Sequence, residues 1–162
     1  MSSPIRPAQP ADVPVILTLI RALADYEKLT SEVTATESRL RASLFPADPA
    51  AAGPSAYCVI AEADGVPAGF ALYFFNYSTF LARPGLYLED LFVKSEFRGR
   101  GLGKALLLPL AQLANQRGCG RMEWTVLDWN QSAIDFYESL GARRMKEWQV
   151  CRLTGPALTQ YA

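Results

Sequence analysis

Residues 98–104 read Arg98-Gly99-Arg100-Gly101-Leu102-Gly103-Lys104, between a strand-like run and a helix-like one. Glycine tolerates positive φ and lets the backbone approach a ligand closely. The start of a helix offers unbonded N–H groups and a partial positive charge. Together they suit an anion such as a pyrophosphate. Arg98, Arg100 and Lys104 add local positive charge. The bland alternative is a tight turn that caps a helix, and glycines alone do not separate the two. Two nucleotide motifs fail at this loop. A P-loop needs Gly-x-x-x-x-Gly-Lys-Ser/Thr, yet Ala105 follows Lys104 and Arg98 stands where the first glycine belongs. A dinucleotide fingerprint needs Gly-x-Gly-x-x-Gly, and Gly99, Gly101 and Gly103 miss that spacing. The failed motifs argue against a nucleotide-binding regulatory domain.

The remaining chemistry has to do without histidine, because the chain has none. That removes the commonest general base and metal ligand. Proton transfer falls to Glu, Asp, Tyr, Cys, Lys or water. Cys58, Cys119 and Cys151 are too few and too widely spaced for a disulfide framework or a zinc site, and no metal is expected. Sixteen basic residues balance sixteen acidic ones, so no global field draws the chain to nucleic acid or an anionic membrane. No apolar run approaches the roughly 18 residues of a membrane span, and residues 1–6 lack a signal core. A cytoplasmic location is expected.

The elements that must hold these residues follow from spacing. At 162 residues a single domain is expected. Ile5 and Arg6 open a short strand. Pro10-Ala11-Asp12 starts a helix whose apolar face is Val13, Ile16, Leu17, Ile20, Leu23 and Ala24, fading near Tyr26-Glu27-Lys28. A second helix fits about 34–45, capped at or near Thr36, with Leu40 and Leu44 inward. A loop rich in Ala and Pro runs from Pro46 to Pro54. Tyr57–Glu62 and Val66–Tyr77 read as strands around an Asp64-Gly65 hairpin turn, with a possible bulge at Gly69. Arg83-Pro84-Gly85 reads as a turn and Leu86–Lys94 as a strand. The glycine loop leads into a helix to about Arg117, in which Pro109 should cause a kink. Met122–Asp128 is strand-like. Asn130 or Ser132 caps a helix that stops at Gly141. Residues 144–153 end the chain's regular content as a strand. Strand period places Glu89 with Leu91 on one face and Asp90 with Phe92 on the other. The order β-α-α-β-β-β-α-β-α-β describes a mixed α/β domain.

Arg98-Gly99-Arg100-Gly101-Leu102-Gly103, in that setting, resembles the Arg/Gln-x-x-Gly-x-Gly/Ala cofactor motif of the GNAT acetyltransferases. Asn130–Tyr137 is similar to the family's second cofactor segment. Leu86–Val93, Phe97-Arg98-Gly99, Asp128-Trp129-Asn130, Asp135-Phe136-Tyr137, Ile5–Ala8 and Tyr26-Glu27 resemble its diamine acetyltransferase branch. Tyr77–Phe80 and Leu127–Gln131 look closest to the thialysine-acetylating members. The resemblance covers nearly the whole chain. It implies the GNAT fold: a mixed, mostly antiparallel central sheet with splayed cofactor strands and flanking helices.

The resemblance also implies roles. Acetyl-CoA is the cofactor. Its pantetheine would lie along the backbone of Leu91, Phe92 and Val93. Its pyrophosphate would lie on the N–H groups of Gly99, Arg100, Gly101, Leu102, Gly103 and Lys104, with Arg98 adding charge. Asn130 and Ser132 would touch its far side. The acceptor is a small amine: a thialysine-like or lysine-like amino acid, or a diamine or polyamine. An alkyl amine is mostly protonated at neutral pH, so a carboxylate must take its proton, and Glu89 is the candidate base. Tyr137 is the candidate acid for the departing thiolate. Tyr26, Glu27, Glu89, Asp90, Ser78 and Phe80 are the expected acceptor-site residues. Ser78 stands where polyamine-acetylating relatives carry an acid, which favours an amine with fewer charges. The resemblance further implies a homodimer. Two other readings stay open: a non-catalytic acyl-CoA-binding sensor, and an acetyltransferase of a protein amine. A covalent route through a cysteine lacks a histidine to activate the thiol.

Overall fold

A computed structural model of the chain describes residues 4–48 and 53–162. The loop expected from Pro46 to Pro54 therefore lies partly outside the described residues. Two compact units divide the chain, one ending at Thr125 and the other starting at Val126, and each is described by itself.

In the first unit the strand-like runs pair in chain order. The strands are β1 (Ile5–Pro7), β2 (Tyr57–Ala63), β3 (Val66–Ser78), β4 (Arg83–Val93) and β5 (Met122–Glu123), in the order β1-β2-β3-β4-β5. All neighbours are antiparallel except β4 and β5, which are parallel. The mixed, mostly antiparallel sheet is as expected. The β4–β5 pairing covers only Leu86–Met122 and Tyr87–Glu123. From Leu88 to Val93, β4 is bonded to β3 alone in this sheet.

Helix α1 (Val13–Tyr26) follows a short 3-10 turn at Pro10–Asp12, and α2 spans Glu37–Leu44. The Thr36 hydroxyl accepts from the Arg39 N–H, the cap that the sequence suggested. Ile16 and Leu19 of α1 and Leu44 of α2 pack on Cys58, Ile60, Phe70, Leu72 and Phe92. Residues opposite each other in a ladder share a face, so these strand residues define one face of the sheet. Helix α3 (Leu102–Gln116) packs on β2, β3 and β4 from the other face and buries Leu106, Leu107 and Leu110. Pro109 is exposed, and α3 runs through it without a break. Its missing N–H falls on the solvent side, where water can serve the freed carbonyl.

Several boundaries differ from expectation. The extra residue expected near Gly69 is Ala68, opposite the step from Ala61 to Glu62. Gly69 itself is needed because a Cβ there would strike the Phe92 carbonyl oxygen. Arg83-Pro84-Gly85 belongs to β4 rather than to a turn, and the chain reverses at 79–82 with Ala82 at φ 48°. The strand expected over Met122–Asp128 is two residues long. Residues 144–153, expected as a strand, form none. A strand needs a ladder partner for its polar backbone, and no sheet pairing of the described residues includes this segment. The second unit holds α4 (Gln131–Ser139) and the short α5 (Pro156–Thr159). No helix of the described residues is long and apolar enough to cross a membrane.

The close approach of β4 to Gly69 gives a first prediction. Gly69→Ala should destabilise the protein by about 1–3 kcal/mol through strand displacement, read as a lower urea midpoint at unchanged slope.

Candidate functional site

The glycine loop is built as an anion site would be. Gly99 and Gly101 hold φ of 77° and 79°, and a Cβ at either would meet nothing within 4 Å. Open space and left-handed backbone together leave room for a ligand against the main chain. Gly101 is the N-terminal cap of α3, so the loop delivers the first N–H groups of a 15-residue helix. Their orphan donors and the helix dipole favour an anion there.

The cations of the loop are not equivalent. Arg100 bonds Asp64 at 2.7 Å and lies over the Phe97 ring. Asp64 gets there because Asp64 and Gly65 both take positive φ in the β2–β3 hairpin, as the Asp-Gly pair suggested. Arg98 makes no ion pair among the described residues. Its Nε donates to the Val93 carbonyl at 2.9 Å, and its Cζ sits 4.3 Å from the Tyr26 ring centroid. Val93, expected to offer its backbone to a ligand, thus also receives Arg98. Leu91, Phe92 and Val93 lie on the stretch of β4 that β5 does not pair.

Three carboxylates, Glu27, Glu89 and Asp90, act on one another. The register of β3 and β4 pairs Leu72 with Asp90 and Tyr73 with Leu88, which leaves Glu89 as an extra, bulged residue. The bulge interrupts the strict alternation expected from strand period. Leu88 and Leu91 share a face, Asp90 turns to the face of α1 and α2, and Glu89 is exposed. Glu27 comes from the end of α1. Its N–H bonds the Leu23 carbonyl, and the turn closes through Leu29 N–H to the Ala24 carbonyl with Lys28 at φ 61°. This left-handed closure fixes where Glu27 leaves the helix. Burial raises the Glu27 carboxyl above its ordinary value. Asp90 is pushed up to about 7, first by burial and then by the charges of Glu89 and Glu27. A carboxyl with that balance switches its charge near neutrality.

Ser78 and Phe80 are not brought to this cluster. Ser78 is buried at the end of β3, where its hydroxyl accepts from Leu81 N–H and from Arg121 Nη1. Phe80 is 95 % exposed in the turn that follows. Ser78 lies six positions along β3 from Leu72, the partner of Asp90, or roughly 20 Å of strand.

In the second unit, Asn130 caps α4: its side-chain oxygen accepts from the Ala133 N–H. Ser132 is exposed in the first turn. Tyr137 is half-buried beside Phe136, ring centroids 5.2 Å apart. Its carbonyl accepts from Ala142 N–H while Gly141 N–H bonds the Glu138 carbonyl, a closure that pins the last turn.

The family model "Acetyltransferase (GNAT) family" matches residues 20–142. The chain belongs to the GNAT acetyltransferase family. It is 40 % identical to an L-ornithine N5-acetyltransferase of Arabidopsis thaliana, over 98 % of this chain and 87 % of the relative. It is likewise 40 % identical to a thialysine N-epsilon-acetyltransferase of Sus scrofa, over 98 % and 96 %. Among solved structures, an integron cassette protein from the mobile metagenome of V. cholerae superposes with a TM-score of 0.77 at 25 % identity, covering 97 % of this chain and 95 % of that one.

GNAT acetyltransferases use acetyl-CoA, and the residues present fit that group: a helix start, two left-handed glycines facing open space, and an arginine that pairs with no carboxylate among the described residues. A thiol relay fits poorly. Cys58 is buried and its thiol is pushed up to about 12, so its nucleophilic thiolate is scarce at neutral pH. The bulge at Glu89 and the Asp64–Arg100 bond went unread in the sequence. The Asp-Gly turn was the one available signal for the second.

Burying Asp90 gives a second prediction. Its folded pKa lies above the ordinary aspartate value of 3.8, so the folded state holds the proton more tightly. The contribution of this group to stability is therefore fully present below about pH 4 and is lost as pH rises through about 7. Asp90→Asn should remove that loss and raise stability at pH 8 by on the order of 2 kcal/mol relative to wild type. Urea midpoints at pH 5 and pH 8 check it.

Proposed function

We propose that this single acetyltransferase domain moves the acetyl group of acetyl-CoA to the amine of a small molecule, and that Asp90 takes the amine's proton. The observation that carries the reading is the group of Glu27, Glu89 and Asp90, with Asp90 held near 7. Acetyl-CoA supplies the thioester carbonyl that the amine attacks. Arg98 and the N–H groups from Gly99 to Lys104 would hold the diphosphate and the stretch Leu91–Val93 would take the pantetheine arm; on the family resemblance alone, Asn130 and Ser132 would take the far side. An oxyanion on the acetyl carbonyl would be met by a backbone N–H of β4.

The carboxylates act on the acceptor in two ways. Glu27 and Glu89 draw an ammonium ion and hold it. Asp90 then accepts a proton, directly or through water. An alkyl ammonium titrates near 10.4 and an ordinary Asp near 3.9. Raising Asp90 to about 7 halves that gap and makes the transfer correspondingly less uphill. The sequence had favoured Glu89 as base. The bulge exposes Glu89 and turns Asp90 inward, which favours Asp90, with Glu89 shaping its field. On the family resemblance alone, Tyr137 would supply a proton through its Oη to the thiolate that acetyl transfer leaves.

The substrate class is an amino acid or diamine with a primary amine on a flexible chain. Two relatives named for ornithine and thialysine, each matched over nearly all of this chain, support that class. A homodimer is proposed on the resemblance. Three unpaired cysteines agree with a reducing compartment, and we place the protein in the cytoplasm.

A third prediction follows. Thiol release from acetyl-CoA should accelerate with ornithine, thialysine, lysine or a diamine, and log(kcat/KM) should rise with pH to a shoulder near pH 7. Asp90→Asn should abolish the shoulder and lower kcat/KM about 10²-fold. A panel with no release would refute the small-amine reading. Tyr137→Phe should lower kcat at least tenfold with CoA affinity kept within about twofold, measured by rapid-quench turnover and calorimetry.

A further inference from the structure

We infer that Tyr26 is a positioning residue for the diphosphate of the cofactor, acting through Arg98, and is not a wall of the acceptor pocket. The inference rests on the acetyl-CoA reading above.

Four observations meet here. The Arg98 guanidinium lies 4.3 Å from the Tyr26 ring centroid, well inside cation–π range. A second ring, Phe92, is 5.8 Å from the same carbon. The innermost donor, Nε, is spent on the Val93 carbonyl. No carboxylate pairs with Arg98 among the described residues, in contrast to Arg100 and its Asp64. An arginine held by a ring face and a carbonyl keeps its full charge. Its rotation about the Nε bond is restricted, and its two terminal NH2 groups stay as a fork. A fork is what a diphosphate binds in bidentate fashion.

Tyr26 can serve because it is itself fixed. It is the last residue of α1, and the closure through Lys28 holds the turn that follows it. The next residue, Glu27, raises the pKa of Asp90. One helix end thus braces the cofactor cation with one residue and charges the acceptor cluster with the next. Tyr26 accordingly affects the diphosphate, whereas Glu27 affects the amine.

The test separates the diphosphate from the rest of the ligand. CoA is titrated by calorimetry, and pantetheine, which lacks the diphosphate, by ligand-observed NMR, into wild type, Tyr26→Phe, Tyr26→Leu, Arg98→Lys and the double variant Tyr26→Leu/Arg98→Lys. The ring is expected to matter, not the hydroxyl. Tyr26→Phe should keep the CoA Kd within about twofold, and Tyr26→Leu should raise it about fivefold, with pantetheine unaffected. Arg98→Lys loses the fork and should weaken CoA at least as much, and the double variant should be no weaker than Arg98→Lys. Circular dichroism at matched temperature checks that each variant is folded, and should Tyr26→Leu fail to fold, the pair Tyr26→Phe and Tyr26→Trp decides it. Additive losses, equal losses for CoA and pantetheine, or an unchanged CoA Kd in Tyr26→Leu would overturn the inference while the acetyltransferase reading stands. A wild-type protein that binds no CoA would overturn both.

Discussion

Strand β4 is bonded to β3 along its length but to β5 over two residues only. This one-sided pairing governs the chemistry of the first unit. A strand paired on both sides would offer its backbone to neighbours and leave no edge for a ligand arm. A strand paired on neither side would not hold a register. With β3 alone as its support, β4 keeps Asp90 opposite Leu72 while one inserted residue, Glu89, leaves the ladder. The bulge thereby sets two adjacent carboxylates in different surroundings, one exposed and one turned toward the helical face. Burial on that face raises the Asp90 pKa because it disfavours the charged carboxylate. The resulting cost is a carboxyl that resists ionisation in the fold.

The glycine loop is built from fixed backbone instead of titratable groups. Left-handed glycines open it, the start of α3 leaves N–H donors unbonded, and its two arginines are held differently. Arg100 is held by Asp64 and joins the loop to the β2–β3 hairpin. Arg98 is held by Val93 and Tyr26 and joins it to β4 and α1. The end of α1 meets Arg98 through Tyr26 and acts on Asp90 through Glu27. Both depend on the α1 C-terminus being closed with a lysine, Lys28, in the left-handed region, where an L side chain pays a modest strain.

Much of this was legible in the residues. The glycine loop, its strand-before and helix-after setting, the Asp-Gly hairpin and the Thr36 cap are local signals, and local signals survive into the fold. The apolar face of α1 was read nearly right, with Leu19 buried besides. What failed was non-local. Strand content at 144–153 came from composition, yet strands are made by partners, and those of the described sheet pair elsewhere. The register also sets Ser78 opposite Arg83, far along the ladder from Asp90, which a local pattern does not reveal. The bulge was invisible because period-2 reasoning assumes that each residue faces a partner. One unmatched residue was enough to change which carboxylate turns inward.

The account turns on the ionisation of Asp90, and that can be observed without substrate or cofactor. The side-chain carboxyl carbon of Asp90, assigned by comparison with Asp90→Asn and followed by NMR from pH 4 to pH 9, should titrate with a midpoint near 7, shifting lower when Glu27 is replaced by glutamine. A midpoint near the ordinary aspartate value of about 3.9 would contradict the account, because the carboxyl would then be no better a proton acceptor than one free in water.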